Sequence, residues 1–66
     1  MFSTNDRVVI SDRFPDTKLA ILNLKVGDKG TVWQVMRSKP GVLGIAIVKW
    51  DGGRRTNANE YDLDPA

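Results

Sequence analysis

The stretch GIAIVKWDGGRRTNANEY, residues 44–61, decides the fold of this chain. Its first half is apolar on both alternating faces, which predicts a central β-strand covered on both sides for part of its length. Asp51-Gly52-Gly53 then predicts a tight hairpin, because Asp-Gly favours a two-residue turn. A basic and polar segment runs from the turn toward Tyr61. The rest of the chain is predicted to pack around this hairpin.

Short apolar segments separated by turn residues predict an all-β domain of five strands. The predicted strands are residues 6–11, 31–37, 42–50, 54–57 and 61–64. A short helical turn, capped by Asp16 or Thr17, is predicted to run through Leu22, and a 3₁₀ turn is predicted over residues 58–60. Asn23 is a suitable helix stop. Val32 and Val35 both need the interior but are three residues apart, so we expect a bulge near Trp33-Gln34. Closure into a small antiparallel barrel would hide most strand edges, which suits a chain of 66 residues.

The same alternation predicts the core, although a slip of one residue turns a whole strand over. The residues expected in the core are all apolar and are assigned to the interior. They are Val8, Ile10, Leu22, Val32, Val35, Ile45, Ile47, Val48 and Leu63. The chain is too short for two cores, so residues 1–66 are expected to form a single domain.

Composition excludes several kinds of site. The chain contains no Cys and no His, so it lacks disulfides, thiolate ligands, the commonest zinc ligand and the commonest general base. Asp62 and Asp64 alternate on a predicted strand, but two carboxylates do not make a metal site. We expect no catalytic residue, no metal and no cofactor, and hence no enzyme. Because no apolar run approaches a membrane span and no signal sequence is evident, we expect a cytoplasmic protein.

Charge is distributed unevenly along the chain. Residues 1–28 carry four basic and four acidic side chains, residues 29–55 carry six basic and one acidic, and residues 56–66 carry three acidic and none basic. These sum to the net charge of +2. The basic middle either forms a solvated surface that the acidic end neutralises, or it forms a site for an anionic partner.

Two segments resemble SH3-like barrels. Val26-Gly27-Asp28-Lys29-Gly30-Thr31-Val32 is similar to the G-D-x-G-T-V turn that opens the second strand in many such barrels. Val48-Lys49-Trp50-Asp51-Gly52-Gly53, followed by Asn57 and Tyr61-Asp62-Leu63, resembles the V-x-W-D-x-G…Y-D-L ending of Mind-bomb/HERC-type domains and of short bacterial and phage barrels. The short barrels also carry a T-K-L, matched here by Thr17-Lys18-Leu19, and accessory subunit IV of photosystem I has a similar plan. The resemblance implies a small five-stranded antiparallel SH3-like barrel, with one helical turn in the long loop after strand 1, and it transfers no ligand site.

Aromatic and basic residues around the hairpin are the binding candidates. They are Trp33, Arg37, Lys49, Arg54 and Tyr61, with Lys39, Trp50 and Arg55 as secondary candidates. Trp33 is expected either to be an exposed contact at the bend of its strand or to lie buried under the helical turn. Trp50 either packs across the barrel end or offers a stacking surface. Arg55 is expected to pair with Glu60 or Asp62, or else to remain a binding candidate. A free Arg54 would join Lys49, Arg37 and Lys39 as a basic rim.

Three functions are consistent with these features. The leading hypothesis is a non-catalytic module that binds another protein, such as a small accessory factor of phage or plasmid type, because mixed charges around exposed aromatic residues suit a compact protein interface. Nucleic-acid binding through the basic middle is the alternative, since cations beside aromatic rings can neutralise phosphates and stack bases. A third is an assembly or stabilising subunit of a larger complex. We predict neither a membrane partner nor a small-molecule substrate.

Overall fold

The chain forms five β-strands, one short helix and one 3₁₀ turn in the computed structural model, which describes residues 1–66. The elements in chain order are β1 (Arg7–Ile10), α1 (Asp16–Leu22), β2 (Lys29–Met36), β3 (Ile45–Trp50), β4 (Arg55–Asn59), the 3₁₀ turn (Glu60–Asp62) and β5 (Leu63–Pro65). All strand pairs are antiparallel, and the strands form one sheet in the order β4-β3-β2-β1-β5. The predicted all-β class, the strand count, the helical turn after the first strand and the 3₁₀ turn before the last are confirmed.

A bulge bends β2 where the sequence predicted one. Val32 pairs with Val48, whereas Gln34 pairs with Ile47, so the register shifts by one residue between Val32 and Gln34. Trp33 is the extra residue of this bulge. Because it has no partner on β3, the valines on either side of it can both point inward.

The inward face of β3 differs from the prediction. Ala46, Val48 and Trp50 are buried, while Ile45 is 40 % exposed and Ile47 is half-buried. The assignment of Ile45 and Ile47 to the core was therefore wrong. Both alternating sets of β3 are apolar, so hydrophobicity alone did not fix which set faces inward.

Residues outside the strands complete the core. Its buried apolar members are Phe2, Val8, Ile10, Phe14, Leu19, Val32, Ala46, Val48, Trp50, Ala58 and Leu63. Leu22 and Val35, which were expected in the core, are partly buried and pack against it. Phe2 comes from the N-terminal segment and Phe14 from the loop before α1, so these two aromatic rings supply volume that short strands with Ala46 and Ala58 leave open.

Trp50 has the structural role that the sequence suggested. Its ring is buried, and its indole Nε1 donates a hydrogen bond to Thr56 Oγ1 at 2.8 Å. Gly30 lies opposite Trp50 in the register, and a Cβ on Gly30 would come within 2.9 Å of the Trp50 ring. The missing side chain at Gly30 thus makes room for the indole, which leaves Trp50 without an exposed stacking surface.

The turns differ in detail from the predicted ones. The hairpin between β3 and β4 is a three-residue turn, in which Trp50 N–H donates to Arg54 O and Gly53 N–H donates to Trp50 O. Gly53 has φ of +102°, which glycine adopts without strain, so Asp51-Gly52-Gly53 favours this longer turn over the expected two-residue one. Asn23 ends α1 with φ of +57° and donates its N–H to the last turn, as predicted.

The observed bounds of several elements differ from the predicted ones. β3 begins at Ile45 and not at residue 42, because residues 42–44 belong to the β2–β3 loop. β4 extends to Asn59, and the 3₁₀ turn and β5 follow two residues later than expected. No helix in the chain is both long enough and apolar enough to cross a membrane, α1 having seven residues.

Candidate binding face

The outward side of β2, β3 and β4 is a sheet face open to solvent. The side chains that alternate away from the core on these strands are Thr31, Trp33, Gln34, Met36, Ile45, Ile47, Lys49, Arg55, Asn57 and Asn59. We call this set the outward face. It carries three of the chain's exposed large hydrophobic side chains, Trp33, Met36 and Ile45, with exposed fractions of 53 %, 45 % and 40 %.

Strand register arranges the outward face in three rows. One row is Thr31, Lys49 and Arg55. The middle row is Gln34, Ile47 and Asn57, and the last is Met36, Ile45 and Asn59. The face therefore changes from basic at the hairpin end to apolar at the other end, with Asn side chains along the outer strand.

Trp33 links the first two rows. The Arg55 guanidinium carbon lies 4.6 Å from the centroid of the Trp33 ring, which is cation–π geometry. Trp33, Lys49, Gly53 and Arg55 line a shallow cavity of about 330 Å³. An aromatic ring thus lies beside two cations on a rigid sheet.

The outward face contains no carboxylate. Asp51, in the adjoining hairpin turn, is held by Arg7 through two hydrogen bonds of 2.7 and 2.8 Å. Arg7 also donates to Thr31 Oγ1 at 3.0 Å, which fixes the pair beside the first row of the face. The hydrogen bonds from Arg7 lower the pKa of Asp51 in spite of its partial desolvation. Lys49 and Arg55 form no salt bridge with a carboxylate.

Arg37 lies elsewhere and serves the fold. Its guanidinium donates from Nε to Glu60 Oε1 at 2.9 Å, and from Nη2 to Glu60 Oε2 and to Phe2 O, each at 2.7 Å. Glu60 Oε2 also accepts from Phe2 N–H, and Glu60 Oε1 accepts from Gly44 N–H. We call these four residues the Glu60 clamp. Because Nε and Nη2 of Arg37 are both engaged within the fold, Arg37 serves as a structural residue and not as part of the binding face.

The Glu60 clamp keeps its carboxylate ionised. Burial alone would raise the pKa of Glu60, but the hydrogen bonds from Arg37, Phe2 and Gly44 outweigh burial and bring the pKa below its ordinary value. The side chain of Glu60 is fully buried, while that of Arg37 is 26 % exposed. A buried charge with four hydrogen bonds acts as a structural link and leaves no oxygen free for a ligand.

The other sequence candidates are dispersed. Arg54 is exposed and donates to the carbonyl of Leu22 at the end of α1. Tyr61 is 61 % exposed and lies beside Arg13, whose guanidinium carbon is 5.3 Å from its ring centroid. Lys39 is exposed in the β2–β3 loop. Of the eight candidates, Trp33, Lys49 and Arg55 come together, and the structure does not place Arg54, Tyr61 or Lys39 with them.

The expected pairing of Arg55 with Glu60 or Asp62 is wrong. Glu60 is occupied by Arg37, and Arg55 stacks on Trp33. Arg55, Asn57 and Asn59 were underrated as face residues, although the alternation R-T-N-A-N places three polar residues on one side and small ones on the other. That period-two pattern is the signal that could have identified them.

Comparison of the chain with protein-family models, with curated proteins and with solved structures found no match. No group of three or more Asp and Glu side chains is close enough to hold a metal ion.

Proposed function

We propose that this chain is a non-catalytic binding module with an SH3-like barrel fold. Support comes from the strand order, in which β5 returns to pair with β1, and from the positions of the helix after β1 and of the 3₁₀ turn before β5. The same elements appear in the same chain order in the barrels that the V-G-D-K-G-T-V and V-K-W-D-G-G segments resemble.

We propose the outward face as the binding surface and another protein as its partner. The observation that carries this is the exposure of three large apolar side chains, Trp33, Met36 and Ile45, on the neighbouring strands β2 and β3 of one face, with Lys49 and Arg55 beside Trp33. Trp, Met and Arg are enriched in protein interfaces, and exposed apolar side chains grouped on one rigid face are typical of contact sites. Because the face has cations and no carboxylate, its partner should present an apolar centre flanked by acidic residues.

Affinity capture from the native host with matched variants tests this proposal. Trp33→Ala and Ile45→Asp should each abolish retention of the partner, because both act at the apolar part of the face. Val26→Ala is the control, since Val26 is 52 % exposed but lies in the turn before β2. Circular dichroism confirms that each variant is folded. Retention of the partner by folded Trp33→Ala and Ile45→Asp would reject the outward face.

The stoichiometry of the captured complex separates a transient partner from an assembly role. A complex of fixed composition that survives size-exclusion chromatography supports an assembly or stabilising subunit. A complex that dissociates on dilution supports a transient binding module.

Nucleic-acid binding is a second candidate, favoured by the grouping of Trp33, Lys49 and Arg55. One ring beside two cations offers base stacking together with phosphate neutralisation. Fluorescence anisotropy of a labelled oligothymidylate tests it over a salt series. Binding should weaken steeply with salt. Each of Lys49→Ala and Arg55→Ala should reduce by about one the slope of the logarithm of the binding constant against the logarithm of salt concentration. A flat salt dependence contradicts this candidate and leaves the protein-binding proposal standing.

A further inference from the structure

β4 presents a free backbone edge. It has one strand neighbour, β3, and lies at the end of the sheet. Trp50 N–H donates to Arg54 O, and Glu60 N–H donates to Gly44 O. The even-numbered residues from Arg54 to Glu60 therefore direct their peptide groups toward β3. Antiparallel pairing alternates from residue to residue. The N–H and C=O groups of the residues between them, Arg55, Asn57 and Asn59, therefore face away from β3.

These edge groups have no partner within the chain. The hydrogen bonds of turns and loops reach Arg54 and Glu60 at the two ends of β4, but none reaches the backbone of Arg55, Asn57 or Asn59. All three residues are exposed. A row of unpaired donors and acceptors with a two-residue period is the template on which another strand can add.

A groove runs beside this edge. Its volume is about 630 Å³, and α1 forms its opposite wall with Lys18, Ile21 and Leu22. Ile21 is 80 % exposed, the largest exposed fraction among the large hydrophobic residues of the chain. Arg54 donates a hydrogen bond to the Leu22 carbonyl, which ties the end of α1 to the start of β4 and fixes the width of the groove at that end.

The lining of the groove is basic. It includes Lys18, Arg54 and Arg55, and no Asp or Glu. None of these three forms a salt bridge within the chain. A segment that enters the groove would therefore gain most from carboxylates on one face and from an apolar side chain that reaches Ile21.

We propose that the groove between α1 and β4 binds an extended acidic segment of a partner protein by adding it as a sixth strand to the β4 edge. The backbone of Arg55, Asn57 and Asn59 pairs with the added strand, Ile21 contacts its apolar side chains, and Lys18 and Arg54 pair with its carboxylates. A second copy of this chain is a poorer occupant, because pairing of two β4 edges would bring Lys18, Arg54 and Arg55 of both copies together, with no carboxylate in either lining. This site shares Arg55 with the outward face, but its apolar contact is Ile21 and not Trp33, Met36 or Ile45.

The test uses the full chain and a synthetic heptapeptide, Glu-Thr-Val-Thr-Glu-Thr-Val, which carries both Glu and Val on the same face of an extended strand. Two control peptides have the same length: one, the Lys-Val peptide, has Lys in place of Glu, and one is the Glu-Val peptide with N-methylation of every second amide. Titration into isotope-labelled protein, followed by amide NMR, should show shifts in β4 and α1 for the first peptide. N-methylation removes main-chain hydrogen bonds, and charge reversal removes charge-assisted ones. Each change should therefore weaken binding by about tenfold or more.

Two protein variants match these controls. Asn57→Pro removes the backbone N–H donor of residue 57 at the free edge, where proline is tolerated in a strand. It should weaken binding of the acidic peptide by about tenfold. Lys18→Glu lies on α1 outside the sheet and should also weaken it, while restoring binding of the Lys-Val peptide. Val26→Ala, in the turn before β2 and remote from the groove lining, should leave the peptide affinity unchanged.

Three results would overturn the proposal. The first is equal affinity of the N-methylated and unmodified peptides, which rests on the peptide alone and does not need a folded Asn57→Pro variant. The second is a set of shifts confined to residues 31–36 and 45–49. The third is sedimentation showing that the chain self-associates through β4, because the edge would then be occupied by a second copy.

Discussion

Each carboxylate oxygen of Glu60 accepts two hydrogen bonds in the interior. Oε1 accepts from Arg37 Nε and Gly44 N–H, and Oε2 accepts from Arg37 Nη2 and Phe2 N–H, all within 2.9 Å. Replacing a whole buried ion pair by apolar groups can be neutral, but removing one partner leaves a buried charge without compensation. Glu60 therefore binds four donors that come from three residues, Phe2, Arg37 and Gly44.

Glu60→Gln should lower the free energy of unfolding by about 3 kcal/mol. The amide group places N–H donors where Arg37 and a backbone N–H already point, and it leaves the guanidinium unpaired. Urea denaturation measures the change. Asp51→Asn is the control, because Asp51 and Arg7 have side chains 57 % and 46 % exposed and their pair should matter far less. Equal effects of the two substitutions would contradict a special role for the Glu60 clamp.

Gly44→Ala should destabilise the protein by about 1–3 kcal/mol, the range for overpacking. A Cβ on Gly44 would lie 2.0 Å from the Met36 carbonyl oxygen and 3.0 Å from Arg37 Cα, so the backbone at the Glu60 clamp would have to move. Gly52→Ala is the matched control, since a Cβ there meets nothing within 4 Å. Thermal unfolding of both variants checks this. A Gly44→Ala protein as stable as Gly52→Ala would show that the loop adjusts freely.

At the level of elements, the sequence predicted the location of the strands more accurately than it predicted which face of each strand is buried. Turn residues and β-branched runs marked all five strands, and Val32 and Val35 marked the bulge. In β3, however, Ile45 and Ile47 compete with Ala46 and Val48 for the interior. The outcome depends on the large Trp50 ring and on the space above Gly30 opposite it, a tertiary contact that single-strand patterns do not contain.

The candidate site was partly predictable for a similar reason. Trp33 and Lys49 followed from the bulge and from alternation, both of which are local. The structural role of Arg37 could not be predicted in this way, because its partner Glu60 is 23 residues away in the sequence and is the first residue of the 3₁₀ turn. Charge counts identify basic residues, but only folding shows which of them are already paired.

The outward face should attract anions to Trp33. The chain has two tryptophans, one exposed beside Arg55 and Lys49 and one buried. With each quenching constant divided by that measured for free N-acetyltryptophanamide, iodide should quench the exposed fluorescence about twofold more efficiently than caesium at low ionic strength, because the local potential is positive. Trp33→Phe should leave an emission that neither ion quenches. Equal quenching by the two ions would show that the cations do not shape the field at this face.

At the level of the whole molecule, two depressed carboxylate pKa values link stability to pH. The pKa of Asp51 is lowered chiefly by hydrogen bonds from Arg7, and that of Glu60 by the clamp against the opposing effect of burial. Both groups bind protons more readily when the chain is unfolded. Their contribution to stability is therefore complete above the ordinary carboxyl pKa values of about 4 and is lost as the pH falls through the lower folded values.

Acidification from about pH 7 to about pH 3 should reduce the free energy of unfolding, and the difference between the wild type and Glu60→Gln should shrink over the same range, since glutamine does not titrate. Urea denaturation at each pH measures both trends. A gap between the two proteins that stays constant with pH would mean that the clamp does not depend on the ionised carboxylate.

The Glu60 clamp also bears on the order of folding. Its hydrogen bond from Phe2 to Glu60 spans 58 residues of a 66-residue chain, so closing it requires almost the whole chain to be in place. Contacts that close such long loops are entropically costly and form after the hairpins of β2, β3 and β4, whose contacts are local. We expect the bond from Phe2, but not the nearer bonds from Arg37 and Gly44, to be absent from the folding transition state, so that it acts mainly to slow unfolding. In a small domain, one late-forming hydrogen bond would then lengthen the lifetime of the folded state.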